Sequence, residues 1–94
     1  MDIKEAFAAA LKQARKNKGL TQEDFSNVSS RTYVSTLERG LKAPTIDKVE
    51  DLTSVIGIHP LTLLTLTYMI ERNELDSAEL FGLVTKELSQ LARL

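Results

Sequence analysis

No cysteine occurs in this 94-residue chain. That absence excludes disulfides and thiolate metal sites, and it fits a reducing compartment. Histidine is nearly absent too. His59 stands alone, with no second His or Cys and no carboxylate at ligand spacing, so it reads as a helix cap or surface residue rather than a metal ligand. The four glycines are scattered, which excludes a glycine-rich phosphate loop, and no Ser/His/Asp set with an evident geometry can be assembled. Neither an enzyme nor a cofactor is expected. No stretch alternates like a strand, so the fold class is all-α. The N-terminus MDIKEAFAAA mixes charge into a helical pattern and lacks the shape of a secretion signal, which leaves the cytoplasm as the expected location. One run does lack charge: the 19 residues from Leu52 to Ile70 hold no Asp, Glu, Lys or Arg. Gly57, His59 and Pro60 interrupt it, so it reads as two buried helices with a break between them, not a membrane span.

What is present is the balance of an ordinary globular protein, 43% hydrophobic and 27% charged. A chain this short buries only about 60–65% of its unfolded surface, so a second subunit would help it. The net charge of −1 conceals an asymmetry. Residues 1–48 carry nine Lys/Arg against six Asp/Glu, and residues 49–94 carry three against seven. The first half is therefore basic and the second acidic.

Helical periodicity and end signals divide the chain. Asp2 with Glu5 opens a first helix, about Ile3 to Asn17, whose inward stripe is Ile3, Phe7, Ala10, Leu11 and Ala14. Lys12, Arg15, Lys16 and Lys18 gather toward its C-terminal end, where cations suit the helix dipole, and Gly19 closes it. Thr21 with Asp24 spells a second start, with Phe25 as the one large apolar residue of a short helix. Ser29 and Ser30 offer caps for a third helix, about Arg31 to Arg39, ended by Gly40. Thr45 caps a fourth, Ile46 to about Ile56, with Ile46, Val49, Leu52 and Val55/Ile56 inward. His59-Pro60 starts a fifth, Leu61 to about Arg72, and Asp76 with Glu79 a sixth, about Ser77 to Ala92.

The third helix has two chemically different sides. At roughly 100° per residue, Val34 and Leu37 share one side with Tyr33 at its edge. Thr32, Ser35, Thr36 and Arg39 fall opposite, flanked by Arg31. Hydroxyls and guanidinium groups suit base edges and phosphates; a plain solvated face is the other reading, although such faces more often carry Glu and Lys in i,i+4 pairs.

The stretch Thr21–Gly40 resembles the helix-turn-helix of the XRE (Cro and phage-repressor) family. The likeness rests on Leu20-Thr21-Gln22-Glu23, on Ser30-Arg31-Thr32-Tyr33-Val34-Ser35, on Glu38-Arg39-Gly40 and on Pro44, and it extends from about Lys4 to Leu64. It implies a lambda-repressor-like DNA-binding domain of about five helices, here with an additional C-terminal helix, acting on double-stranded DNA. One departure is visible. The family carries a longer connection between the two helices, so here either the turn is tighter or the first helix is a turn shorter. The resemblance implies that Arg31, Thr32 and Thr36 read bases, with Ser35 and Arg39 beside them. It also implies that Gln22 and Lys42 contact phosphates, and that Arg15 and Glu38 form an ion pair between the first and third helices.

On this reading residues 1–72 form the DNA-binding domain and 73–94 a C-terminal dimerisation helix. Ser77, Phe81, Val84, Leu88 and Leu91 step by heptad spacing, with Leu80, Leu83 and Leu94 adding apolar area. The expectation is a homodimeric repressor on a palindromic operator. The alternative is an antitoxin or other protein-binding module whose C-terminal helices engage a partner protein, and folding of the last helix back onto its own domain is a third possibility.

Overall fold

Each helix begins where the chain offers an acceptor for an orphan backbone N–H. Asp2 Oδ1 accepts from the Lys4 N–H at 2.8 Å, Ser30 Oγ from Tyr33 at 3.0 Å, and Thr45 Oγ1 from Lys48 at 3.1 Å. His59 Nδ1 accepts from Leu61 at 3.0 Å and Asp76 Oδ1 from Glu79 at 2.8 Å. The elements so defined are α1 (Ile3–Asn17), a 3-10 turn (Gln22–Phe25), α2 (Arg31–Glu38), α3 (Ile46–Ile56), α4 (Pro60–Arg72) and α5 (Ser77–Leu91). This computed structural model describes residues 1–73 and 76–92, and no strand occurs among them. The fold is the all-helical one expected of a lambda-repressor-like domain.

The departure between the motif's two helices resolves in favour of a shorter first element. Only the 3-10 turn Gln22–Phe25 forms there, with the Thr21 N–H bound to Asp24 Oδ2 at 2.7 Å. Phe25 is its one large apolar side chain and is fully buried. Beyond it Ser26 and Asn27 have nothing to bury, so no stripe extends the helix. The chain instead wraps the Phe25 carbonyl, which accepts from the Val28 and Ser29 N–H groups at 2.9 Å each. Of the two candidate serine caps only Ser30 serves; the Ser29 hydroxyl is buried without a hydrogen-bond partner.

Gly40 ends α2 at φ +73°, a conformation that costs an L side chain and costs glycine nothing. The Leu41 N–H then reaches back to the Thr36 carbonyl, and that of Gly40 to Leu37. One core joins the first four helices and the 3-10 turn. Phe7, Leu11, Phe25, Val34, Leu37, Leu52 and Leu63 are buried in it, with α1 lying mainly on α4. Each such side chain contributes about 1.5–3 kcal/mol by leaving water. Thr53 and Thr67 are buried as well, and their hydroxyls donate to the carbonyls of Val49 and Leu63 at 2.8 Å, so no polar group is stranded there. α3 and α4 meet at 105° across Gly57–His59, and no single helix among the described residues is long and apolar enough to cross a membrane.

Two expected core positions are surface positions. Ile46 is 84% exposed and Ile3 43%. Both sit in the first turn of their helices, before the helix axis carries the stripe over the core. Together with Leu61 and Tyr68 they edge an apolar groove of about 430 Å³ between α1, α3 and the start of α4.

α5 is different from the rest. It packs chiefly on α4, where Leu80 is half-buried, and none of its residues is buried. Phe81, Leu83, Val84, Leu88 and Leu91 all lie exposed. Its apolar stripe is therefore not covered by its own domain; Leu94 lies outside the described residues. The radius of gyration, 14.1 Å, exceeds the roughly 12 Å of a compact chain this long, and the long axis reaches 41 Å.

Candidate nucleic-acid interface

α2 is anchored by two side chains, Val34 and Leu37, both fully buried, and this fixes which side faces out. Arg31, Thr32 and Arg39 are exposed on that side; Ser35 and Thr36 are half-exposed beside them. The Thr36 hydroxyl donates to the Thr32 carbonyl at 2.8 Å, leaving its lone pairs outward. Arg39 caps the C-terminal end of α2, and Lys42 is exposed in the loop that follows. These six residues thus form one polar ridge, four of them on a helix narrow enough for the major groove.

Arg31 is not free on this ridge. Its guanidinium donates to Glu23 Oε1 at 2.9 Å, with both side chains about 70% exposed. A pair so solvated contributes little stability, so a phosphate or a base can displace Glu23 at small cost. Arg31, Thr21, Gln22 and Glu23 line a shallow depression at the N-terminal end of α2, with Arg15 behind them.

Behind the ridge lies its support. Arg15 Nε donates to Glu38 Oε2 at 2.6 Å and Arg15 Nη2 to Glu38 Oε1 at 2.8 Å, a two-pronged pair from α1 to α2. The side chains are only 10% and 4% exposed. The third arm, Nη1, donates to the Leu20 carbonyl at 2.9 Å, which ties in the chain entering the 3-10 turn. Hydrogen bonding to Glu38 raises the Arg15 pKa further above the usual guanidinium range, against the opposing effect of burial. Gln22 joins the same cluster: its side-chain amide donates to Glu38 Oε1 at 3.1 Å.

Sequence reasoning missed Lys48. From α3 its ammonium donates to the Val28 carbonyl at 2.6 Å, lies 5.4 Å from the centre of the Tyr33 ring and is 3.8 Å from Asp51. It ties α3 to the shortened turn and to the Tyr33 ring of α2. Twenty residues separate Lys48 from Val28, and a lone lysine near a helix start carries no signal of that reach.

Residues 11–63 match the family described as helix-turn-helix. The chain is also 35% identical, over 69 residues, to the uncharacterized HTH-type transcriptional regulator y4dJ of Sinorhizobium fredii (strain NBRC 101917 / NGR234), covering 71% of this chain and 90% of that protein. No solved structure matches. The matched segment runs from the middle of α1 into α4 and includes the whole ridge, both residues of the Arg15–Glu38 pair and Lys48. The chain belongs to the XRE-type helix-turn-helix family and is a DNA-binding transcription regulator, not an enzyme.

Proposed function

We propose that this regulator is a cytoplasmic repressor, bacterial or phage-encoded, that binds a palindromic operator as a homodimer. In this reading α2 enters the major groove, Arg31, Thr32 and Thr36 meet base edges, Ser35 and Arg39 flank them, and Gln22 and Lys42 hold the backbone. The observation that carries it is the two-sidedness of α2: two fully buried apolar residues behind, hydroxyls and guanidinium groups in front. A single ridge spans a few base pairs. Two ridges related by a two-fold axis would read half-sites roughly 34 Å apart. The exposed stripe of α5, Phe81, Val84, Leu88 and Leu91, with half-buried Leu80 beside it, supplies apolar surface for the second copy.

Selection from random duplexes, followed by sequencing, tests the reading: an inverted repeat should emerge. Arg31→Ala or Thr32→Ala should then lose about 1–3 kcal/mol of discrimination at one position of each half-site. Selected duplexes without two-fold symmetry, or both variants retaining full discrimination, would overturn it. The same α5 stripe favours a second reading, in which the C-terminal helices engage a partner protein as an antitoxin does. A regulator that stays monomeric alone and forms a one-to-one complex with the product of an adjacent gene would select that reading.

A further inference from the structure

We infer that the apolar groove between α1, α3 and α4 is the seat for α5 of a second copy, each chain giving its stripe and receiving its partner's. This rests on the homodimer reading and specifies its contact.

Both halves of such a contact stand open in one molecule. The groove holds about 430 Å³, and Ile3, Ile46, Leu61 and Tyr68 are 43–84% exposed around it. On α5, Phe81, Val84, Leu88 and Leu91 are 40–77% exposed and lie along one side at helical spacing. An amphipathic helix laid into an apolar groove is a recurring recognition mode, read through anchors at this spacing.

Area decides between this contact and the simpler one, α5 against α5. The four exposed stripe residues offer on the order of 400 Å², about half of the roughly 800 Å² per partner that a stable interface buries. Pairing the stripes alone leaves each groove open and the interface small. Reciprocal seating buries stripe and groove of each chain together and reaches that size.

Charge points the same way. With its cap, α5 carries Asp76, Glu79 and Glu87 against Lys86, so two α5 helices side by side bring like charge together. The charged groups that line the groove are Lys4 and Glu50, which balance, so seating α5 there avoids that repulsion.

The absence of cysteine makes the test clean. Ile46→Cys and Val84→Cys are prepared as separate full-length proteins, one isotopically labelled, and both positions are exposed enough to leave the core intact. They are mixed, equilibrated and oxidised, and the disulfide species are identified by mass, alongside light scattering of the unmodified chain. Reciprocal seating predicts a dimer in which the mixed disulfide, joining an Ile46→Cys chain to a Val84→Cys chain, exceeds either self-disulfide by about tenfold. It also predicts that Leu61→Asp weakens dimerisation by at least about tenfold, as loss of an interface anchor does. A dimer in which the Val84→Cys self-disulfide dominates would overturn the groove as the seat while leaving the homodimer standing. A dimer dominated by the Ile46→Cys self-disulfide would do the same. A mass that stays at the 10.5 kDa of one chain at tens of micromolar would overturn both.

Discussion

Two stretches of this chain carry the same kind of apolar spacing and meet different fates. In α1 the stripe through Phe7 and Leu11 is sealed against α4; in α5 the stripe through Phe81, Val84 and Leu88 faces outward. Spacing tells which residues share a side and says nothing of what covers them. The partner is decided by topology: α1 has α2 and α4 across it, and α5 has chiefly the flank of α4. The regulator is thus a sealed body with an unsealed arm, and substitutions should separate the two.

The largest effects belong to the body. Glu38→Gln removes the charge that Arg15 faces from both prongs and leaves a guanidinium, only 10% exposed, without its counter-charge. A loss of about 3–5 kcal/mol is expected in a chemical melt. A variant within a few tenths of the parent would show that the pair is not a joint between α1 and α2. Leu63→Ala, at a fully buried position, should cost about 2–5 kcal/mol by the same measurement. Its counterpart in the arm is Leu88→Ala, at a position 55% exposed. At concentrations where the chain is a single copy this change should stay within about 0.5 kcal/mol. Equal losses at Leu63 and Leu88 would break the contrast between body and arm.

The legible and illegible parts of the molecule divide along the same physical line. Caps, glycine stops and stripes depend on neighbours three or four residues away, so Thr45, Asp76 and Gly40 can be placed from spelling alone, and Ser30 and His59 are narrowed to one of two readings. The ends of stripes cannot. Ile3 and Ile46 continue the period correctly and overshoot the core, because periodicity does not show where the neighbouring helix stops. The shortness of the motif's first element is visible as missing residues, but the choice between a tighter turn and a shorter helix requires knowing that only Phe25 has somewhere to be buried. Contacts between distant residues are the least accessible. Arg15 and Glu38, 23 apart, come from resemblance to a family rather than from any local pattern. Lys48 has no such guide, and neither has the groove, which exists only once three helices have met.

Lys48 gives the next prediction. Lys48→Met keeps the stem and removes the donor to Val28 and the cation near Tyr33. The expected loss is about 1–2 kcal/mol of stability, less than for Glu38→Gln, because the side chain is 28% exposed and water can take the carbonyl. Lys48→Arg should recover most of it. A variant as unstable as Glu38→Gln would mean that the turn, and not the ion pair, is the main joint of the motif.

The smallest effect is expected at Lys42, and it separates two kinds of contact within the ridge itself. Lys42 is exposed in the loop after α2, beyond the helix whose side chains would enter the groove. Its ammonium is a compact charge without the fork that reads a guanine edge, so its natural target there is a phosphate. A phosphate contact is the same for every sequence. Lys42→Ala should therefore weaken the selected duplex and a scrambled one by equal factors, and leave their ratio unchanged. Each such contact releases about 0.9 of a counterion, so the slope of log affinity against log salt should flatten by about that amount per chain. Melting should not change, because the side chain has no partner among the hydrogen bonds and ion pairs of the described residues. Arg31→Ala should behave in the opposite way, with a ratio that falls at one position of the half-site. If Lys42→Ala lowered the ratio and left the salt slope alone, Lys42 would be a reader of bases, and the ridge would extend beyond the end of α2.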